Sequence, residues 1–175
     1  MQITQELLHN LLDYNPETGI LTWKRRGQEM FPNKGTMESW NNRCAGTSPS
    51  HVDNLGYVST SILDQNIHAH RVAFLYCHGY LPEIVDHKNR DKTDNRICNL
   101  RSSNKSTNAC NSKIRSDNST GVKGVGLHKS TGKYRARVKL NKKEYHLGLF
   151  KTIEEAAEAV NAKRAELHGE FASYK

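Results

Sequence analysis

VDHKNRDKTDNRICNLR, residues 85–101, sets an acid and a histidine side by side at the end of a short apolar run and follows them with a long polar turn. IVDH reads as a brief strand, residues 89–95 as the turn, and NLRSSNKSTNACNSK, residues 99–113, as a helix. Neighbours on a strand point to opposite sides, but at a strand end both side chains can reach one phosphate. Hydrolysis of a phosphodiester needs a water, a base to take its proton, and positive charge on the developing oxyanion. His87 and a divalent cation on Asp86 would supply the last two. One carboxylate holds such an ion only if further oxygens join it, and Asn95, Asn99, Asn104, Asn108 and Asn111 carry side-chain carbonyls hard enough for magnesium. The same Asp, Asn and Lys residues also read simply as a turn with helix caps.

Upstream, ITQELLHNLLDY places Leu7, Leu8, Leu11 and Leu12 on one helical stripe, which Asn15, Pro16 and Gly19 stop. GILTWKRR reads as a strand, whereas residues 27–55 are rich in Gly, Asn, Ser and Pro, show no period and read as loop. GYVSTSIL and the start of QNIHAH form two short strands around a turn at residues 64–66. HRVAFLYCHG has helical apolar spacing through Val72, Leu75 and Tyr76, with Gly79 to end it.

Downstream, the polar stretch 112–119 has linker composition and sets the expected domain boundary. KYRARVKL then alternates strictly, with Tyr134, Ala136, Val138 and Leu140 on one face and Arg135, Arg137 and Lys139 on the other. EYHLGLF is its partner across a turn at residues 141–143, and GVKGVGLH is a third strand. Thr152 and Glu155 make a capping box for a helix with apolar Ile153, Ala156, Ala157, Val160 and Leu167, ending near Gly169. The expected architecture is α+β, in parts 1–65, 66–111, a linker at 112–119, and 120–175.

Charge separates along the same line. Residues 1–100 carry 10 Lys and Arg against 11 Asp and Glu, and the remainder 16 against 7. A basic half of this kind points to a polyanionic partner, nucleic acid first, although a solvated basic face is the plainer alternative. Four cysteines without a C-x-x-C pair argue for free thiols over a disulfide framework or a zinc ribbon. With no apolar run of about 18 residues and no secretory pattern at the N-terminus, the expectation is a soluble cytoplasmic protein without a membrane partner.

His70–Arg71–Val72, Val85–Asp86–His87, the D-N-R-x-x-N-L-R block from Asp94 to Arg101, and Asn108 together resemble the HNH homing-type endonucleases of phage and intron origin. The resemblance implies a ββα-metal core with one divalent ion, Mg2+ first and Mn2+ second. It implies Asp86 and Asn108 as metal ligands, His87 as general base and Asn99 as structural support; His70 and Arg71, at the start of the HRVAFLYCHG helix, read on their own as structural support and as a DNA phosphate contact. Many relatives carry a histidine where this chain has Asn108, so it follows the HNN variant. Residues 120–170, with V-K-G-V, K-Y-R-A-R-V, Y-H-L-G-L-F and T-I-E-E-A-A-E-A-V, resemble the ethylene-response-factor (APETALA-type) DNA-binding domain of plants. That resemblance implies a three-stranded antiparallel sheet in the major groove of double-stranded DNA, backed by one packed helix. The implied DNA contacts are Lys123, His128, Arg137, Lys139 and His146, and Arg135 joins them from its place on the cationic face of KYRARVKL. Gly126, Ser130, Glu144 and His146 stand where plant domains have Arg or Trp, so the plant target sequence does not carry over. The expectation is a metal-dependent endonuclease that nicks one strand per site, with a double-strand break requiring a homodimer or two events. A non-catalytic DNA-binding regulator on a degenerate nuclease core is the alternative.

Overall fold

The computed structural model describes residues 2–112 and 114–172, the side chain of Glu170 excepted. Lys113, at the end of the expected helix and within the expected linker, and residues 173–175 of the expected C-terminal domain lie outside the described residues. The fold is α+β, and the chain divides into two compact units, Met1–Ser102 and Ser103–Lys175.

The first unit opens with α1, Gln5–Leu11, whose N-cap Thr4 accepts a hydrogen bond from the Leu7 N–H. Leu8, Leu11 and Leu12 are fully buried, each contributing about 1.5–3 kcal/mol of apolar burial. The chain passes into β1, Leu12–Tyr14, which pairs antiparallel with β2, Leu21–Trp23. Between them Asn15 Oδ1 accepts from the Glu17 and Thr18 amides, and Gly19 takes the left-handed conformation.

Residues 27–55 are more ordered than their composition implies, for they contain the helix α2, Lys34–Cys44, and the strand β3, Ser50–Val52. The helix escapes pattern reading because KGTMESWNNRC has no apolar stripe and buries only Asn41. Asn33 caps it, Asn41 exchanges hydrogen bonds with the Arg26 backbone, and the Arg26 guanidinium lies 3.9 Å from the Trp40 ring centre and 4.6 Å from that of Trp23.

β3 pairs with β4, Val58–Ile62, which pairs with β5, Gln65–His68, all antiparallel. Leu63 and Asp64 turn the β4–β5 corner, both with positive φ as a tight hairpin requires. α3, Ala69–His78, follows directly and ends on left-handed Gly79. Its Val72, Ala73, Phe74 and Leu75 join Leu8, Leu11, Leu12, Leu21 and Ile62 in one core. β6, Ile84–His87, pairs with β7, Leu100–Ser103, at the edge of that core. The start of the expected 99–113 helix is therefore a strand. Only α4, Lys105–Cys110, is helical, beginning where Asn104 and Thr107 form a capping box.

The second unit contains α4, then β8, Val125–His128, β9, Lys133–Leu140, β10, Lys143–Phe150, and α5, Ile153–His168. The antiparallel sheet runs in the order β10-β9-β8, with Asn141 and Lys142 turning β9 into β10 at positive φ. Val125, Ala136, Val138, Ala156 and Val160 form its core, and Thr152 and Glu155 cap α5 reciprocally. The units divide upstream of the polar stretch 112–119. The reason is visible at α4: Lys123 Nζ donates to the carbonyls of Cys110 at 2.8 Å and Ser112 at 2.7 Å, and the Asn141 amide donates to Ser106 Oγ at 2.7 Å. Cations favour a helix C-terminus, so the short helix belongs to the unit that supplies one.

A candidate nuclease centre in the first unit

β6, β7 and the 3-10 turn Ile97–Asn99 that leads into β7 bring the buried polar residues Asp86, His87, Asn99 and Arg101 to the α3 side of the unit. The His87 ring meets that of His70 edge-on, with centres 4.8 Å apart. On the other side, His87 Nε2 lies 3.1 Å from Asn95 Oδ1. An amide oxygen only accepts, so Nε2 is the donor, and in the neutral ring the lone pair then falls on Nδ1, the arrangement a general base requires.

Asn95 was counted above among the oxygens for a cation, and here it serves the imidazole instead. Its own backbone carbonyl accepts from the Tyr14 hydroxyl at 2.8 Å, tying the histidine loop to β1. Burial pushes the Tyr14 phenol well above its ordinary value, so it stays a donor. Asn99 closes the same loop: its Oδ1 accepts from the Asn89 amide, and its Nδ2 donates to Asn89 Oδ1 at 3.0 Å and to the Asp94 carbonyl at 2.8 Å. Asn104 caps α4, and Asn111 is buried at its end.

Gly19 explains how closely β1 and β2 hold this loop. A Cβ there would lie 2.6 Å from the Arg96 nitrogen and the Asn95 carbonyl carbon, at a φ of +74°. Gly19→Ala is therefore expected to cost at least about 1–3 kcal/mol, read as a lowered urea midpoint, and to reduce any activity that depends on His87.

Asp86 is buried and ion-paired: Arg101 reaches its Oδ2 with Nε at 2.9 Å and Nη2 at 2.8 Å. Sequence reasoning had left Arg101 without a role, because residues 99–113 read as a helix and only the β6–β7 pairing brings Arg101 to the acid. No three His, Cys, Asp or Glu side chains converge as a metal cage among the described residues. A magnesium-type ion does not need one, since it keeps water and substrate phosphate and uses one or two carboxylates. The oxygen chemistry of Asp86 fits such an ion.

His70 sits at the start of α3, 5% exposed, with Nδ1 buried and lacking a hydrogen-bond partner among the described residues. Burial first, and then the charges of His87, His68 and Arg71, push its pKa down to about 3. It is neutral at working pH and presents no second cation to His87. Because its folded value lies below the ordinary one near 6.5, this group binds protons more readily in the unfolded chain. Its contribution is complete above about pH 6.5, falls as pH drops toward 3, and is level below that. The expected slope approaches about 1.4 kcal/mol per pH unit inside that window, and in urea titrations His70→Phe is expected to remove it.

Asn108 lies on α4 in the second unit and is exposed. In the same unit Arg135, Arg137 and Lys139 are exposed on one face of β9, with Lys133 beside them as a fourth cation that the sequence reading omitted. His146 faces Arg137 across the β10 pairing, and Glu144 approaches both at 3.2 Å. Lys123 is committed to the end of α4, and His128 Nδ1 to Thr131 at 2.9 Å and Ser130 at 3.2 Å in the β8–β9 turn.

Residues 68–110 match the family model of the HNH endonuclease. That span takes in α3, β6, the loop that follows it, β7 and α4, and the match supports a nuclease function in general. No curated protein and no solved structure gives a significant match to the chain. Among the described residues no helix is long and apolar enough to cross a membrane.

Proposed function

We propose that this chain is a metal-dependent DNA endonuclease that hydrolyses one strand per site, with His87 as its general base. The observation that carries this reading is the His87–Asn95 hydrogen bond beside buried Asp86, because it holds an imidazole by its Nε2 next to a buried carboxylate. Asp86 would hold the ion, and Asn108 is a second ligand implied by the sequence resemblance alone. A bound Mg2+ or Mn2+ supplies positive charge for the phosphate and the departing 3′ oxygen. His87 Nδ1 takes the proton from the attacking water. Arg101 orients Asp86, while Asn99 and the Tyr14–Asn95 bond keep the base from swinging away.

The exposed row Lys133, Arg135, Arg137 and Lys139 supports a second part of the proposal, docking of the C-terminal sheet on duplex DNA in the manner of the ethylene-response-factor domains. His146 at the same face, and Arg71 in the first unit, are further proposed contacts. Lys123 and His128 carry over from the resemblance as weaker candidates, since their polar atoms already bond within their own unit.

The test is nicking of supercoiled plasmid and phage DNA by the purified chain with magnesium or manganese. Cleavage that EDTA abolishes supports the proposal. Salt-dependent binding that leaves varied DNAs intact with either metal would favour the non-catalytic regulator.

A further inference from the structure

A cleft of about 390 Å³ opens in the first unit between the β3–β4–β5 sheet and the first turn of α3. Its wall includes His51, Asn66, His68 and Arg71, three nitrogen-bearing cationic or titratable groups and an amide around one concavity. Asp53 is the one acid there, and it is engaged from all sides. Its Oδ1 accepts from the Leu55 and Tyr57 amides at 2.9 and 3.0 Å; its Oδ2 accepts from Ser59 Oγ at 2.9 Å and lies 3.2 Å from His68 Nε2. The carboxylate therefore orients His68, and Arg71 remains as a cation that this acid does not answer.

The wall leads to the candidate centre. His68 stacks on Tyr57 at 4.8 Å and on His70 at 5.4 Å, and His70 meets His87 at 4.8 Å. Two ring-to-ring steps cover a distance that a DNA strand spans in roughly three nucleotides, at about 3.4 Å of axis per nucleotide.

We infer that this cleft is a phosphate subsite for the DNA strand, in which Arg71, His68 and His51 hold a phosphodiester within roughly three nucleotides of the scissile one. The inference rests on the nuclease reading for its register, but not for its chemistry: an arginine with two imidazoles and an amide suits a phosphate whether or not cleavage follows.

The experiment titrates the full-length chain, labelled with ¹⁵N, with a short mixed-sequence duplex in EDTA, so that no cleavage intervenes. The ring signals of His51 and His68 and the Nε signal of Arg71 are expected to shift on titration. Arg71→Gln, checked for an unchanged amide spectrum, is expected to reduce the slope of log affinity against log salt by about 0.9. Asn66→Asp, an exposed change on the rim, is expected to weaken binding at low salt by up to about fivefold. In nicking assays the Arg71→Gln defect is expected in KM rather than kcat.

Stationary signals at these three residues while Arg135 and His146 respond would overturn the subsite, as would no response anywhere or wild-type binding by both variants. Shifts at all three in a chain that never nicks DNA would keep the subsite and remove the nuclease reading. Nicking with a silent cleft would do the reverse.

Discussion

Asp86→Asn is expected to lower the unfolding free energy by about 3–5 kcal/mol and to abolish metal-dependent cleavage. Asp86 and Arg101 are 7% and 8% exposed, and the guanidinium meets Oδ2 through two nitrogens. Removing the acid's charge leaves Arg101 as a buried cation without its main counter-charge, and that desolvation is what destabilises the fold. The double variant Asp86→Asn with Arg101→Met separates structure from chemistry. It removes both charges, so most of the stability is expected to return in urea titrations while cleavage stays absent. A loss below about 1 kcal/mol in the single variant would mean that the pair behaves as a solvated surface bridge. Cleavage by the double variant would take Asp86 out of metal binding.

His87→Ala is expected to reduce kcat for nicking by about 10²–10⁴-fold, the usual contribution of a positioned general base. Asn95→Ala leaves the imidazole in place but removes the acceptor that fixes its tautomer. The lost hydrogen bond is worth about 1–3 kcal/mol at a buried donor, a fall of roughly 5- to 150-fold if it acts wholly on kcat. Ring ¹⁵N shifts distinguish this from simple loosening, because the Nε2–H form of His87 is expected to give way to a mixture of tautomers. The Tyr14–Asn95 bond uses the backbone carbonyl and survives the substitution. Wild-type kcat in Asn95→Ala would show that the hydrogen bond is incidental to the base.

The periodic elements were legible because burial imposes a period: α3 with its Gly79 stop, the alternating β9, and α5 with its capping box match their residues closely. α2 was not legible, since it is held by a cap and by Arg26 between two tryptophans instead of by an apolar stripe. LRSS, residues 100–103, reads as helix in isolation but is extended, because pairing with β6 satisfies its backbone. The candidate acid and imidazole, Asp86 and His87, could be read as neighbours in the sequence. Their partners Arg101 and Asn95 could not, for hydrogen bonds across a strand pair and a loop leave no spacing in sequence.

The amino-acid order by itself determined the α+β class, the segregation of positive charge, and the Asp86–His87 pair, all of which depend on local period or residue chemistry. Tertiary structure alone decided which nitrogen of His87 bears the proton, that Asp86 is buried against Arg101, that Gly19 must lie against the Asn95–Arg96 backbone, and that α4 joins the second unit. Each of these depends on groups far apart in the chain, whose meeting is set by the shape of a packed core and by the need to pair every buried polar atom.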